Sequence, residues 1–249
     1  KMFLKAESCR ACGSTYADKH VAIAQAIGKL PDPQIAHYLL RWSCNASRMN
    51  HLARTTPRAH CHTGLSKFDA SVETALCDTT GLPLGDTQLV QASFRVKQGG
   101  MGLRASNAVA DAAYLGSRSA THERCTELRH HHRWDAQEDG SHIQAAAGDC
   151  NDFLGNVGMN SRVDCSMPDL QQGHITKLVE EARVRRWKQA VDADDVCRLN
   201  AYSAPLAGKV LGVTPSRTLD KHLTRQEFVT EVACRLGVDV LEPGTTCPF

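Results

Sequence analysis

The chain has 249 residues, of which 42% are hydrophobic, 22% charged and only 5% aromatic; that is enough to bury a core built on Leu, Val, Ile and Ala. The formal net charge of +2 hides an asymmetry, with 17 Lys and Arg against 10 Asp and Glu over residues 1–134, and 12 against 17 over residues 135–249. A polyanion would dock on the front half, although such a difference is also common in two-part chains without a ligand. No run reaches the ~18 apolar residues of a membrane span, and the opening residues lack the apolar block of a secretion signal. Eleven scattered cysteines, an odd number, read as reduced thiols in an intracellular protein rather than as a disulfide framework.

In chain order, a first helix is expected over Ala17–Lys29, stopped by Leu30-Pro31. A long helix over Asp32–Thr56 follows, with Asp32 as cap and Pro33 at the first helical position. Ile35, Leu39, Trp42, Ala46 and Met49 recur at 3.6-residue spacing as its core stripe. Polar replacement of Leu39 or Trp42 is therefore expected to unfold the front half. Arg41, Arg48 and Arg54 take the other face. Pro57 breaks this helix, and another is expected over Leu65–Thr79, ended by Gly81 and Pro83.

A short helix over Asp86–Phe94 leads to the most turn-like stretch, Lys97-Gln98-Gly99-Gly100-Met101-Gly102-Leu103-Arg104. Ser106 is the expected cap of a helix over Asn107–Ser117. Residues 129–167, polar and weakly periodic, read as a linker with a short helix around Ile143–Leu154. Pro168 opens a charged helix over Asp169–Val191, and Thr224-Arg225-Gln226-Glu227 is a capping box for a last helix closed by Gly237. Strand-like alternation is confined to Arg95–Lys97 and Val238–Leu241. The expectation is a mostly α, multi-helix fold packed in two layers, divided as 1–128, a linker 129–167 and a helical 168–249.

Few residues point to chemistry. Cys9 and Cys12 have the spacing of half a zinc site, with no second pair nearby, and a fortuitous pair is the simpler reading. His60-Cys61-His62 and His130-His131-His132 do not present two ligands to one ion, because adjacent side chains point apart. Gly99-Gly100-Met101-Gly102 lacks the Gly-Lys-Ser/Thr ending of a phosphate loop and reads as a tight connection, flanked by Lys97 and Arg104. Arg183, Arg185, Arg186 and Lys188 read as a solvated face, and Asp192, Asp194 and Asp195 as a helix-terminal acidic turn. A Cys61 nucleophile with His60 or His62 ranks last, because neighbours in sequence do not face each other. No cofactor is expected, and aromatic residues are not seen interleaved with basic ones as base stacking requires.

The string Leu30–Arg41, then Arg48–Pro57, Phe68-Asp69, Gln91-Ala92-Ser93, Gly99–Arg104, Ala112–Ser117, Ser203–Gly208 and Leu223–Phe228, ending in Gly244–Pro248, resembles the region after the catalytic palm in reverse transcriptases of non-LTR retrotransposons. The chain holds no Tyr-x-Asp-Asp motif of the kind with which that family binds two Mg²⁺ ions. The resemblance thus implies a catalytically silent, thumb-like helical region that grips an RNA or RNA–DNA duplex, with Arg41, Arg48, Arg54, Lys97 and Arg104 near phosphates. The alternative is a retroelement-derived structural or accessory subunit held by protein partners.

Overall fold

The computed structural model describes residues 6–134 and 141–239, with side chains from Ser14 onward. The helices run α1 (Ala6–Gly28), α2 (Pro33–Ser43), α3 (Ala46–Thr55), α4 (Arg58–Thr80), α5 (Asp86–Ala92), α6 (Ala110–Leu128), α7 (His142–Asn156), α8 (Gln172–Ala190), α9 (Ala193–Tyr202), α10 (Lys209–Gly212) and α11 (Arg225–Leu236). Short 3₁₀ turns occupy Val96–Gln98 and Asn107–Val109. The fold is mostly α, and the described residues contain no strand. Arg95–Lys97, one of the two expected strands, enters the first 3₁₀ turn, while residues 240 and 241 of the other lie outside the described residues.

The compact units are not consecutive blocks. Unit 1 gathers the described parts of 1–22, 45–70 and 105–186, and unit 2 those of 23–44, 71–104 and 187–249. The division therefore differs from the three blocks expected from composition.

Unit 1 is built on α6. Its Ala112, Ala113 and Gly116 leave a surface thin enough for neighbours to approach, and a Cβ on Gly116 would lie 2.5 Å from the Gln172 Cβ. Helices α3 and α7 both pack on α6. Leu115, Ile143, Leu154, Ile175 and Val179 close the core, each contributing about 1.5–3 kcal/mol when fully buried. Residues 129–167, expected as a linker, instead supply Ile143, Ala146, Ala147, Cys150, Leu154, Val157 and Val163 to this core. Asn151 braces the loop after α7, its Oδ1 accepting from the Val163 amide at 2.7 Å and its amide donating to the Val163 carbonyl at 3.0 Å. The polar composition of the segment belongs to its outer face and turns.

Asp69, rather than Ser106, caps the turn that leads into α6. Its carboxylate accepts from the backbone N–H groups of Ser106 at 2.7 Å and Asn107 at 2.9 Å. Burial pushes the Asp69 carboxyl above its ordinary value, against the lowering effect of those two amides.

In unit 2, α11 packs on α2, α5 and α9; Phe228, Val232 and Leu236 are buried, as are Leu40, Met101, Leu199 and Leu211 of the same unit. The expected capping box of α11 is present, and Gly237 closes the helix at φ +71°. Asp192 caps α9 through the Asp195 amide, so the acidic cluster is a helix start whose carboxylates face the positive end of the dipole.

The expected helix over Asp32–Thr56 is two helices. Cys44 and Asn45 leave the helical region between α2 and α3, and the Asn45 side chain caps α3 by accepting from the Ser47 amide. Its expected core stripe is also displaced on α2. Pro33, Gln34, Ala36, His37 and Leu40 are buried, whereas Ile35 is 40% and Trp42 56% exposed. Two faces of α2 are apolar, so spacing alone does not identify the inner one. Gln34 belongs inside because its Oε1 accepts from the Leu223 amide at 2.8 Å and its Nε2 donates to the Lys221 carbonyl. His37 belongs inside because Nε2–H donates to the Met101 carbonyl at 2.9 Å; burial lowers its pKa to about 4, leaving the ring neutral.

Candidate nucleic-acid interface

The break between α2 and α3 divides the five expected phosphate contacts. Arg48 and Arg54 fall in unit 1, and Arg41, Lys97 and Arg104 in unit 2. No single arginine face of one long helix exists.

On α3 the exposed residues are Ser47, Arg48, His51, Arg54 and Thr55. At 100° per residue they fill one continuous arc of about 120°, opposite the buried Met49, Leu52 and Ala53. Arg48 and Arg54 stand about 9 Å apart along the axis, close to the rise of three base pairs. No Asp or Glu occurs anywhere from Pro33 to Phe68, while Arg41, Arg48, Arg54, Arg58 and Lys67 do. Sequence reasoning noted the basic front half but missed this acid-free run, within which Arg58 pairs with Asp111 and Asp149, and Lys67 with Asp18, from other elements.

The unit 2 residues differ in character. Lys97 is exposed and Arg104 half-buried. Arg41 is partly structural, donating from Nη1 to the Leu211 carbonyl at 2.6 Å, and its guanidinium carbon lies 5.0 Å from the centroid of the Trp42 ring. With Tyr38 a further 6.3 Å from Trp42, α2 carries the cation–aromatic juxtaposition that the sequence did not reveal.

The glycine loop offers no amides to an anion. The N–H groups of Gly99, Gly100, Met101, Gly102 and Leu103 donate to the carbonyls of Val96, Arg95, Ala92, Phe94 and Ala92 respectively, over 2.8–3.3 Å. Its carbonyls are engaged too: Gly99 accepts from Gln91 Nε2 at 3.2 Å, Gly100 from Arg235 Nη1 at 3.4 Å, and Met101 from His37. Gly100 has no room for a side chain, since a Cβ would sit 2.3 Å from the Phe94 carbonyl oxygen. The loop is a tight connection, as its lack of a phosphate-loop ending implies, and contact between its amides and a phosphate is ruled out.

Cys61 does not have the setting of a nucleophile. It is 2% exposed, its thiol donates to the Thr56 carbonyl, and burial, with Asp111 adding to it, pushes its pKa up to about 11. Cys150 is pushed up to about 12 for the same reason, with Asp111 and Asp149 adding to it. These thiols lie near Arg58, whose guanidinium is 3.4 Å from Asp111, 3.8 Å from Asp149 and 3.1 Å from the Asn107 side-chain Oδ1. Among the described residues no group of three His, Cys, Asp or Glu is placed to hold a metal. The side chains of Cys9 and Cys12 lie outside the described residues.

A cleft of about 510 Å³ in unit 2 is lined by Asp32, Arg217, Asp220, His222 and Arg225, among others. Its polar groups are largely committed. His222 Nε2 pairs with Asp32 Oδ2 at 2.5 Å, Asp32 Oδ1 accepts from the Gln34 and Ile35 amides, and Arg225 donates to the Pro31 carbonyl. Burial works to raise the Asp32 carboxyl, but the Ile35 amide and His222 outweigh it and hold the group below its ordinary value. The dyad therefore locks the start of α2.

Among the described residues no helix is long and apolar enough to cross a membrane. No protein-family description, no curated protein and no solved structure matches the chain.

Proposed function

We propose that the chain is a non-catalytic helical region that grips a nucleic-acid backbone, in the manner of the post-palm region of the reverse transcriptases its sequence resembles. The observation that supports this reading is the outward face of α3, where exposed Arg48 and Arg54 flank His51 within a 36-residue stretch free of acid. Phosphate recognition needs solvent-facing cations held on a rigid element. A helix braced from behind by α6 meets that need. The same face gives no base specificity, so the reading implies binding that is general in sequence and steep in salt.

The test is fluorescence anisotropy of an RNA–DNA duplex across a salt series, comparing the parent chain with Arg48→Gln, Arg54→Gln and the double variant. Each lost phosphate contact is expected to reduce the slope of log K against log salt by about 0.9, with the circular dichroism unchanged because both residues are exposed. A slope that is the same in all four proteins removes α3 as the interface. Purification of the native chain with a fixed set of proteins and no nucleic acid would favour the accessory-subunit reading instead.

A further inference from the structure

We propose that the outward face of α2 is a stacking platform for an unpaired nucleobase, with Trp42 as the surface on which the base lies. The inference rests on the nucleic-acid reading and extends it from backbone to base.

Trp42 is 56% exposed, an unusual position for the largest apolar side chain. It shares its side of the helix with Ile35 and Tyr38, seven and four residues earlier. None of the three is needed by the core, which takes Ala36, His37 and Leu40 from the opposite side.

The platform is held in place before any ligand arrives. Arg41 is tied to the Leu211 carbonyl at 2.6 Å, and this holds its guanidinium over one face of the indole, leaving the other for a base. The tie depends on Gly102, at φ +79°, because a Cβ there would lie 2.9 Å from the Arg41 Nε. Tyr38 is fixed by Thr214, whose hydroxyl donates to the Tyr38 oxygen at 3.2 Å. Indole, phenol and guanidinium thus form one patch, in which the hydrogen bonds of Arg41 and Tyr38 reduce the side-chain freedom left to lose on binding.

A base is the occupant that suits this chemistry. Every base offers a π-face to an aromatic ring, and a neighbouring guanidinium strengthens the stack while attracting the phosphate that accompanies the base. Charge separates this from a general protein contact, since α2 carries Arg41 in its last turn and no Asp or Glu. A duplex buries its base faces, so the platform selects single strands or the frayed end of a duplex.

The experiment titrates the full chain with a fluorescein-labelled oligodeoxythymidylate and, separately, with an RNA–DNA duplex, following anisotropy and intrinsic tryptophan emission. Trp187 is buried, with its Nε1–H on the Thr87 carbonyl, while Trp134 is half-buried against the Cys165 carbonyl, so the part of the quenching that Trp42→Ala abolishes reports Trp42. The expected result is that Trp42→Ala binds the single strand about tenfold more weakly and loses the quenching, Trp42→Phe keeps most of the affinity, and duplex binding is unchanged in both. Single-strand affinity unaltered in Trp42→Ala, with salt-dependent duplex binding intact, would overturn the platform and leave the backbone reading standing. No binding of either polymer by the parent chain overturns both. A Trp42→Ala variant that changes only the sedimentation of the protein would mark α2 as a protein contact and overturn the platform.

Discussion

Arg235 is the largest fully buried side chain, at 0% exposure in α11, and replacing it tests the account of unit 2 most severely. Its guanidinium donates to the carbonyls of Gly100 and Ala207, lies 3.4 Å from the Glu231 carboxylate and covers the Tyr202 ring at 4.5 Å. Its own carbonyl accepts from Gln91 Nε2 at 2.7 Å and Arg198 Nε at 3.2 Å. Arg235→Met keeps most of the volume but removes every donor, leaving two carbonyls unsatisfied and Glu231 unpaired at 27% exposure. Breaking one side of such a pair costs about 3–5 kcal/mol. In a chain of this size that is a fall in Tm of roughly 6–20 °C in the transition to which unit 2 contributes. Thermal unfolding followed by circular dichroism measures it, and Glu231→Met on the same background should recover part of the loss because it removes the stranded carboxylate. A Tm for Arg235→Met within about 2 °C of the parent, below the loss of even 1 kcal/mol, would refute the claim that this guanidinium organises the glycine loop.

Leu40→Asp is expected to unfold unit 2 by burying an unpaired carboxylate, several kcal/mol of penalty, whereas Trp42→Asp, on the exposed side of α2, should melt close to the parent; equal melting temperatures would reverse the face assignment. Brief alkylation followed by peptide mass spectrometry should label the exposed Cys197 and Cys234 well before the buried Cys61 and Cys150, and early labelling of Cys61 would contradict its packing. Asp111 supplies a pH dependence. Burial is the largest cause raising its pKa from 3.8 to about 6, with Asp149 adding to it and Arg58 opposing. The folded state therefore holds this proton more tightly than the unfolded state, so the contribution is complete below about pH 4 and is lost as pH rises through about 6. Asp111→Asn should flatten that part of the stability profile, and a profile of unchanged shape would show that the carboxyl does not carry it.

Several local signals of helix ends were legible in the sequence. Asp32, the Thr224–Glu227 box and Gly237 all act within a few residues of their own sequence position. The cap of the turn before α6 was not legible, because Asp69 comes from α4, 37 residues from Ser106. The split between α2 and α3 was hidden although its cap is local. Neither Gly nor Pro marks it, and Asn45 reads as an ordinary polar residue until its side chain is seen on the Ser47 amide.

The candidate interface failed to read out for a different physical reason, which lies in how a helix with two apolar faces is oriented. Ile35, Leu39 and Trp42 have the spacing of a core stripe, and so do Ala36, His37 and Leu40. By transfer free energy alone the first set is the better core, since Trp and Ile lose more on exposure than Ala and His. The second set wins because His37, and Gln34 buried on the same side, have partners that the first set cannot reach: the Met101 carbonyl for His37, and the Leu223 amide and Lys221 carbonyl for Gln34. Turning α2 about its axis would strand Gln34 and His37 and the loop groups they satisfy, at about 1–3 kcal/mol for each buried group left unpaired. The exposure of Trp42 is thus a consequence of polar satisfaction elsewhere in unit 2, and it places an aromatic ring beside Arg41 at the start of the acid-free stretch.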